Sequence, residues 1–266
     1  MKTHLTCITA LMVAQDPTTL PGKGLAQHSF LYCGEWDTRR PEQTMYVVRG
    51  RKVVWTYSIP NSQEVGDCTL LSNGHIVFSR KTGASEITPD KTIVWNYDAP
   101  PTFEIHTAQP IGLDRVLIMQ NGDPATAMVI HKSTVKIEKQ LVLPTRRPDN
   151  PHGQFRHIRL TKNGTFVVAH LDLGRVVEYD ESGRSLWSVP APSAWAAVRL
   201  PNGNTLINNW AGSRPKPEWP TVVQLIEVTP DKKVVWALRD WDTLGPASST
   251  QLLDEPGVAE KGEHQR

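Results

Sequence analysis

Apolar and polar residues alternate in many short runs along this chain, and turn residues separate the runs. Three segments each contain two such runs joined by Asn-Gly: GDCTLLSNGHIVFSR (66–80), RHIRLTKNGTFVVAH (156–170) and AWAAVRLPNGNTLIN (194–208). A period of two is typical of strands with one buried face. Asn-Gly favours a tight hairpin because both residues tolerate positive φ. The pattern therefore predicts three β-hairpins.

A second phrase, an apolar pair followed by Trp, recurs after the hairpins. It occurs in KVVWTYSIP (52–60), TIVWNYDAP (92–100), RSLWSVPAP (184–192) and KVVWALRDW (233–241). A third run that ends in a turn precedes three of these segments: SEITPDK (85–91), VVEYDESG (176–183) and LIEVTPDK (225–232). The segment HTAQPIGLDRVLIMQ (106–120) is a degenerate further hairpin, with Leu113-Asp114 in place of Asn-Gly. Each unit thus predicts four consecutive antiparallel strands.

The two ends of the chain complete one more unit. HSFLYCGEW, TMYVVRG and KVVWTYSIP supply three strands, and SSTQLLDEP (248–256) supplies the missing first strand. Pairing the ends removes an open sheet edge, which would otherwise expose unpaired backbone groups. Short strands in repeated four-stranded units indicate an all-β propeller, here with five blades. A β-sandwich is the alternative, but it would not repeat the unit so regularly.

The domain boundaries follow from this pattern. Residues 28–256 form the single propeller domain, 15–27 an N-terminal arm and 257–266 a charged tail. Residues 1–14 resemble a short signal peptide, with one Lys, an apolar stretch and Ala14 before Gln15. We therefore expect export to the periplasm or the medium. No other segment approaches the length of a membrane span.

Composition narrows the possible partners. The 266 residues carry a net charge of only +2, and no basic patch is evident, so nucleic-acid binding is not expected. Cys7, Cys33 and Cys68 have no metal-ligand spacing, and we predict no cofactor and no metal. Cys33 and Cys68 are expected to be buried thiols, bridged only if their strands are neighbours.

The phrases KVVW and LPNGNTLI resemble the quinoprotein-type propeller repeats of bacterial exported proteins. They resemble the arylsulfotransferase-like propellers more loosely. The first resemblance covers most of residues 28–256 and implies the fold, but it says little about function because propellers host unrelated activities. The chain is much shorter than arylsulfotransferases and lacks their extra N-terminal domain.

Aligning the hairpins on their turns predicts a site. The first strand of each blade lines the central channel, so the starts of these strands gather at one mouth. The first aligned position holds Gly66, His106, Arg156, Trp195 and Ser248, and the next holds Asp67, Thr107, His157, Ala196 and Ser249. The predicted ligand-binding residues are Asp67, His106, Arg156, His157, Trp195, Asn209 and Trp210. Other second-strand ends near this mouth are Glu35, Trp36, Arg80, Gln120, Asn121 and His170.

Three functions fit such a mouth. The preferred interpretation is a non-catalytic module that binds a small polar or anionic ligand, such as a glycan, or a protein partner. Arg would bind the anion and Trp would stack on a ring. The arylsulfotransferase resemblance implies instead that His106 or His157 is a nucleophile and Arg156 an anion clamp. A metal-dependent lyase or hydrolase could use Asp67, His106 and His157 as ligands. Whether the chain is an enzyme stays open.

Overall fold

The computed structural model describes residues 20–35, 37–191, 194–209 and 215–261. Its strands form five antiparallel sheets of four strands each, which are the blades of a propeller.

The first blade contains β20 (Ser249–Leu252), β1 (Phe30–Cys33), β2 (Glu42–Arg49) and β3 (Lys52–Pro60). The second contains β4 (Val65–Leu70), β5 (Ile76–Arg80), β6 (Gly83–Ile87) and β7 (Ile93–Asp98). The third contains β8 (Glu104–Ile111), β9 (Arg115–Asn121), β10 (Thr126–His131) and β11 (Ile137–Val142). The fourth contains β12 (Phe155–Leu160), β13 (Phe166–His170), β14 (Arg175–Tyr179) and β15 (Ser185–Pro190). The fifth contains β16 (Ala194–Arg199), β17 (Thr205–Asn209), β18 (Leu225–Val228) and β19 (Val234–Leu238).

The five-bladed propeller and its closure are confirmed. The C-terminal strand β20 pairs antiparallel with β1, with Phe30 opposite Leu252 and Cys33 opposite Ser249. The innermost strand of the first blade therefore comes from the far end of the chain. Helix is scarce, and the α-helix α1 (Trp241–Leu244) has one turn. Among the described residues, no helix is both long and apolar enough to cross a membrane.

The Asn-Gly segments form hairpin turns, as predicted, but their backbone differs from the expectation. Only the glycines have positive φ, namely Gly74 at +84°, Gly164 at +80° and Gly203 at +87°. Each glycine N–H donates to the carbonyl three residues earlier, for example from Gly74 to Leu71. This geometry is a type I turn followed by a left-handed glycine, so the asparagine needs no positive φ.

Apolar packing joins neighbouring blades. Five clusters of buried residues each combine side chains from two adjacent blades, such as Phe30 and Tyr32 of the first with Leu225 and Trp236 of the fifth. Cys33 and Cys68 are buried as free thiols in one of these clusters. Non-directional burial of this kind is the main favourable term in folding.

The recurring Trp of the fourth strand links its blade to the next one. The indole N–H of Trp55 donates to the Pro89 carbonyl at 3.2 Å, and that of Trp95 donates to the Lys132 carbonyl at 3.0 Å. Both acceptors lie in the turn between the third and fourth strands of the following blade. In the fifth blade, Trp236 donates to Gly24 of the N-terminal arm. These Trp residues therefore bind their blade to the neighbouring part of the chain.

A buried ion pair connects the innermost strands across the channel. Asp67 on β4 accepts two hydrogen bonds from Arg159 on β12, at 2.6 and 2.5 Å. It also accepts the Ser249 hydroxyl of β20 at 2.8 Å and the Ala108 N–H of β8 at 3.0 Å. Asp67 and Arg159 are almost completely buried. Four blades thus meet at one carboxylate.

We predict that Asp67→Asn destabilises the protein by about 3–5 kcal/mol, because it leaves the buried Arg159 guanidinium without its counter-charge. The measurement is the free energy of unfolding in urea, with Asp149→Asn as the control for loss of an exposed carboxylate. The double variant Asp67→Asn, Arg159→Met should regain about half of the loss, because it removes the uncompensated charge. A loss below about 1 kcal/mol in Asp67→Asn would contradict the structural role assigned to the pair.

Candidate functional site

The predicted first aligned position is a β-bulge in four blades. The register of the innermost strand shifts at Gly66, His106, Arg156 and Trp195 respectively, which leaves each of these residues without a partner on the second strand. A bulge re-aims a side chain relative to the regular alternation of the strand. The chain thereby directs His106, Arg156 and Trp195 towards one mouth of the channel.

Glycine occupies the bulge of the second blade for a steric reason. A Cβ on Gly66 would lie 2.7 Å from the carbonyl oxygen of His106 and 3.0 Å from Oγ of Ser79. The close approach brings β4 against the start of β8.

Arg156 is held between two rings. Its guanidinium carbon lies 4.4 Å from the ring centroid of Trp195. Its Nη1 lies 3.0 Å from Nδ1 and 2.9 Å from Nε2 of His106. One atom that is equally close to both ring nitrogens lies over the face of the imidazole, so the contact is a stack and the two nitrogens face other groups in the ring plane. Cation–π attraction favours such an arrangement.

A carboxylate completes this stack. Glu35 accepts the indole N–H of Trp195 at 2.7 Å, and its other oxygen lies 3.5 Å from Nη1 of Arg156. Burial alone would raise the pKa of Glu35, but the charge of Arg156 and the hydrogen bond with His106 hold that pKa below its usual range. Glu35 is therefore ionised in the folded protein.

A second carboxylate joins two histidines. Oε2 of Glu104 lies 2.9 Å from Nε2 of His106 and 2.9 Å from Nδ1 of His152. Burial and the charge of Arg156 lower the pKa of His106, but its contacts with Glu104 and Glu35 outweigh them and raise it. The ammonium group of Lys81 lies 3.5 Å from the other oxygen of Glu104. The side chain of His152 is 40% exposed, so this part of the site opens to solvent.

Glu64 combines an unusual backbone conformation with an unsatisfied buried oxygen at the mouth. Its backbone has φ +53° and ψ +103°, a conformation that non-glycine residues rarely adopt. Its Oε2 is buried and accepts no hydrogen bond among the described residues. Burial, together with the nearby negative charge of Glu35, raises the pKa of Glu64 to about 7. An acceptor of this kind is poised for a partner that brings a proton or a positive charge.

Asp67 and His157 lie in a separate cluster. Nε2 of His157 is 3.4 Å from Oδ1 of Asp67, and neither ring nitrogen makes a hydrogen bond with a described group. Burial and the charge of Arg159 lower the pKa of His157 to about 4 despite the nearby Asp67. Burial would raise the pKa of Asp67, but Arg159 and His157 hold it well below its usual range.

The structure brings together only part of the predicted site. His106, Arg156, Trp195 and Glu35 meet at the mouth, whereas Asp67 and His157 belong to the buried ion-pair cluster. The set Asp67, His106 and His157 does not form one metal site, because His106 contacts other carboxylates. The side chain of Asn209 and the whole of Trp36 and Trp210 lie outside the described residues.

Other predicted mouth residues have internal partners. Arg80 pairs with Asp98. Asn121 donates to the Phe155 carbonyl, and His170 bonds to the Tyr179 hydroxyl.

Three residues of the site escaped the sequence interpretation: Glu64, Glu104 and His152. Glu64 and Glu104 each precede a bulge residue by two positions, in consecutive blades, and this repeated carboxylate was the available signal. His152 lies in a short 3-10 helix, Pro151–Gly153, where no periodicity marks it.

Fold and site together define a five-bladed β-propeller with a polar cluster at one channel mouth. No protein-family model matches the chain, and no curated protein matches it. Among solved structures it is similar to a protein of unknown function from Bacteroides caccae, with 23% identity and a TM-score of 0.64 over 84% of this chain and 98% of that one. This likeness shows the fold.

Weaker likenesses extend to larger proteins. Streptogramin B lyase has 16% identity and a TM-score of 0.45 over 73% of this chain, which spans 60% of that lyase. Virginiamycin B lyase from Staphylococcus aureus with quinupristin has 13% identity and a TM-score of 0.45 over 89% of this chain and 74% of that one. Likeness at this level carries no argument about function.

We predict that His157 makes the protein less stable as the pH falls from 6.5 to 4. The folded state keeps His157 neutral down to about pH 4, whereas the unfolded chain takes up the proton near its ordinary pKa of 6.5. The contribution is therefore present above pH 6.5 and is lost as the pH falls, by about 3 kcal/mol in total.

Urea unfolding at pH 7, 6, 5 and 4 measures this effect as the difference between the parent and His157→Asn, which should shrink with falling pH. His131→Asn, on the outer side of the third blade, is the control for removal of a histidine. Parallel curves for the parent and His157→Asn would contradict the assignment.

Proposed function

We propose that this chain is an exported propeller that binds a small polar ligand at the channel mouth and does not transform it. The ligand carries a positive charge or several hydrogen-bond donors, as an amine, a guanidinium group or a glycan does. A protein partner that presents such a group from its surface would meet the same requirements.

The observation that carries this proposal is the buried Oε2 of Glu64, which accepts no hydrogen bond among the described residues. A buried oxygen without a hydrogen bond costs about 1–3 kcal/mol, and the neighbouring Glu35 charge adds to that cost. A ligand that donates to Glu64 from the open side of the mouth would recover this free energy. Glu104 and His152 offer further polar atoms beside it.

An anionic ligand fits less well than the sequence suggested. Arg156 is only 2% exposed, and its guanidinium already faces Glu35, His106 and Trp195. It is a structural counter-charge inside the cluster. The same engagement speaks against sulfuryl transfer, because the ring of His106 lies under Arg156 and its Nε2 is bonded to Glu104.

The proposal also includes export of the protein and a relation of its blades to quinoprotein-type repeats. The N-terminal sequence supports export, and residues 1–19 lie outside the described part of the chain. The recurring KVVW phrase supports a relation of the blades to quinoprotein-type repeats.

Thermal unfolding of the purified chain in EDTA-containing buffer, at low ionic strength, tests the proposal. The panel contains arginine, spermidine, glucose, N-acetylglucosamine, sulfate and citrate. We expect at least one amine, guanidinium or sugar to raise Tm by several degrees at saturation, because a ligand at 100 times its Kd adds about 2.7 kcal/mol. Glu64→Gln should lose most of that shift.

Glu138→Gln is the matched control, since Glu138 is a glutamate on an outer strand that pairs with Arg115. Equal shifts in the parent and Glu64→Gln, or a response to sulfate and citrate alone, would overturn the proposed ligand chemistry. No response to any panel member would count against a ligand site at this mouth.

A further inference from the structure

We propose that Glu64, His106 and His152 bind a first-row divalent metal ion at the channel mouth. One ligand atom from each residue lies within 4.8 Å of those of the other two. The inference rests on the proposed function, because the ion would be the positively charged group that the open carboxyl of Glu64 receives. Two imidazoles and one carboxylate are a donor set that suits ions such as Zn²⁺.

The donor atoms converge from three separate segments. Oε2 of Glu64 lies 3.9 Å from Nδ1 of His152. Oε2 of Glu104, at 2.9 Å from both His106 Nε2 and His152 Nδ1, marks the point at which the two nitrogens converge. Donors around Zn²⁺ at about 2.0–2.2 Å stand about 3.4 Å apart in a tetrahedron, so the donor separations, which reach 4.8 Å, would shorten by up to about 1.4 Å to complete the site. His152 is partly exposed and lies on a short 3-10 helix, where such a shift requires little repacking.

Glu64 supplies the observation that is independent of this spacing. The residue is 5% exposed, and its Oε2 lacks a hydrogen bond among the described groups although it faces the two histidines. A purely structural site would pair such an oxygen with an N–H or a hydroxyl. A metal ion would satisfy it.

The surroundings of His106 fit a metal ligand as well. Arg156 covers the ring face, so the in-plane Nε2, which bonds to Glu104, would face the ion once that carboxylate turns aside. On the other side of the ring, Nδ1 lies 3.7 Å from Oε2 of Glu35. Metal-bound histidines commonly direct their second nitrogen at a carboxylate, which fixes the tautomer and the ring orientation. Glu104 would then lie beside the ion and accept a hydrogen bond from a ligand on the metal.

The position also leaves room for a ligand on the metal. Three protein donors around a four-coordinate ion leave one position free, as in catalytic and substrate-binding zinc sites. The exposed side of His152 and the partly exposed Glu104 lie on the solvent side of the cluster. A small ligand with a lone pair could therefore reach the ion from the mouth.

The experiment titrates the full chain, stripped with EDTA and dialysed, with Zn²⁺ by calorimetry and with Co²⁺ by visible absorption. We expect one saturable site per chain, an intense d–d band with Co²⁺, and a rise in Tm. Affinity for Zn²⁺ should fall at least tenfold in His152→Ala and in Glu64→Gln. His152→Ala removes a partly exposed side chain, and its Tm in EDTA checks that the fold is kept.

His75→Ala is the control, because His75 also pairs with a glutamate, Glu86 at 2.7 Å, but on the outer side of a blade. It should bind Zn²⁺ like the parent. Absence of saturable binding, or equal affinity in the parent, His152→Ala and Glu64→Gln, would overturn the metal site. If that occurs while arginine or a sugar still binds in EDTA, the proposed function stands and only the metal site fails. Zn²⁺ binding without any response to the small-molecule panel supports the metal site and counts against the polar-ligand proposal.

Discussion

The structure depends on one buried carboxylate, Asp67, at the centre of the ring. The innermost strands of different blades share no backbone ladder, so side chains must hold them together at the channel. Asp67 does so for four blades through Arg159, Ser249 and the Ala108 N–H. Burial of a charge is costly unless it is paired and fully hydrogen-bonded, and this carboxylate meets both conditions. The ion pair therefore fixes the geometry of the channel on which the mouth is built.

Glutamines extend the same principle along the channel. The side-chain amide of Gln109 accepts from the Leu160 N–H and donates to the Leu160 carbonyl, and Gln251 does the same with Leu70. Each amide thus replaces the backbone partner that a further strand would provide. With these strands held at fixed distances, the bulges above them point side chains into a mouth of defined shape.

The sequence predicted the fold well because each blade repeats its alternation, its turn and its Trp. The repeat also placed His106, Arg156 and Trp195 at one level, since equivalent positions in a propeller lie at equivalent depths. The repeat did not show that Asp67, one position further along, belongs to a different cluster. The bulges that turn the side chains cannot be recognised in the alternation of apolar and polar residues. Glu64 and His152 were missed because they lie in irregular connections, where hydrophobic periodicity gives no information.

The buried Asp67–Arg159 cluster and the channel mouth differ in how well their charges are paired. In the buried cluster, burial and Arg159 keep His157 neutral beside a fully paired Asp67. This arrangement stabilises the folded state. At the mouth, Glu64 has a raised pKa, a positive φ and a buried oxygen that accepts no hydrogen bond from a described residue. None of these three properties stabilises the chain, and Gln or a hydroxyl residue at position 64 would avoid the charge penalty. These unfavourable features concentrate on one residue beside the partly exposed His152, and they support the proposed binding site at this mouth.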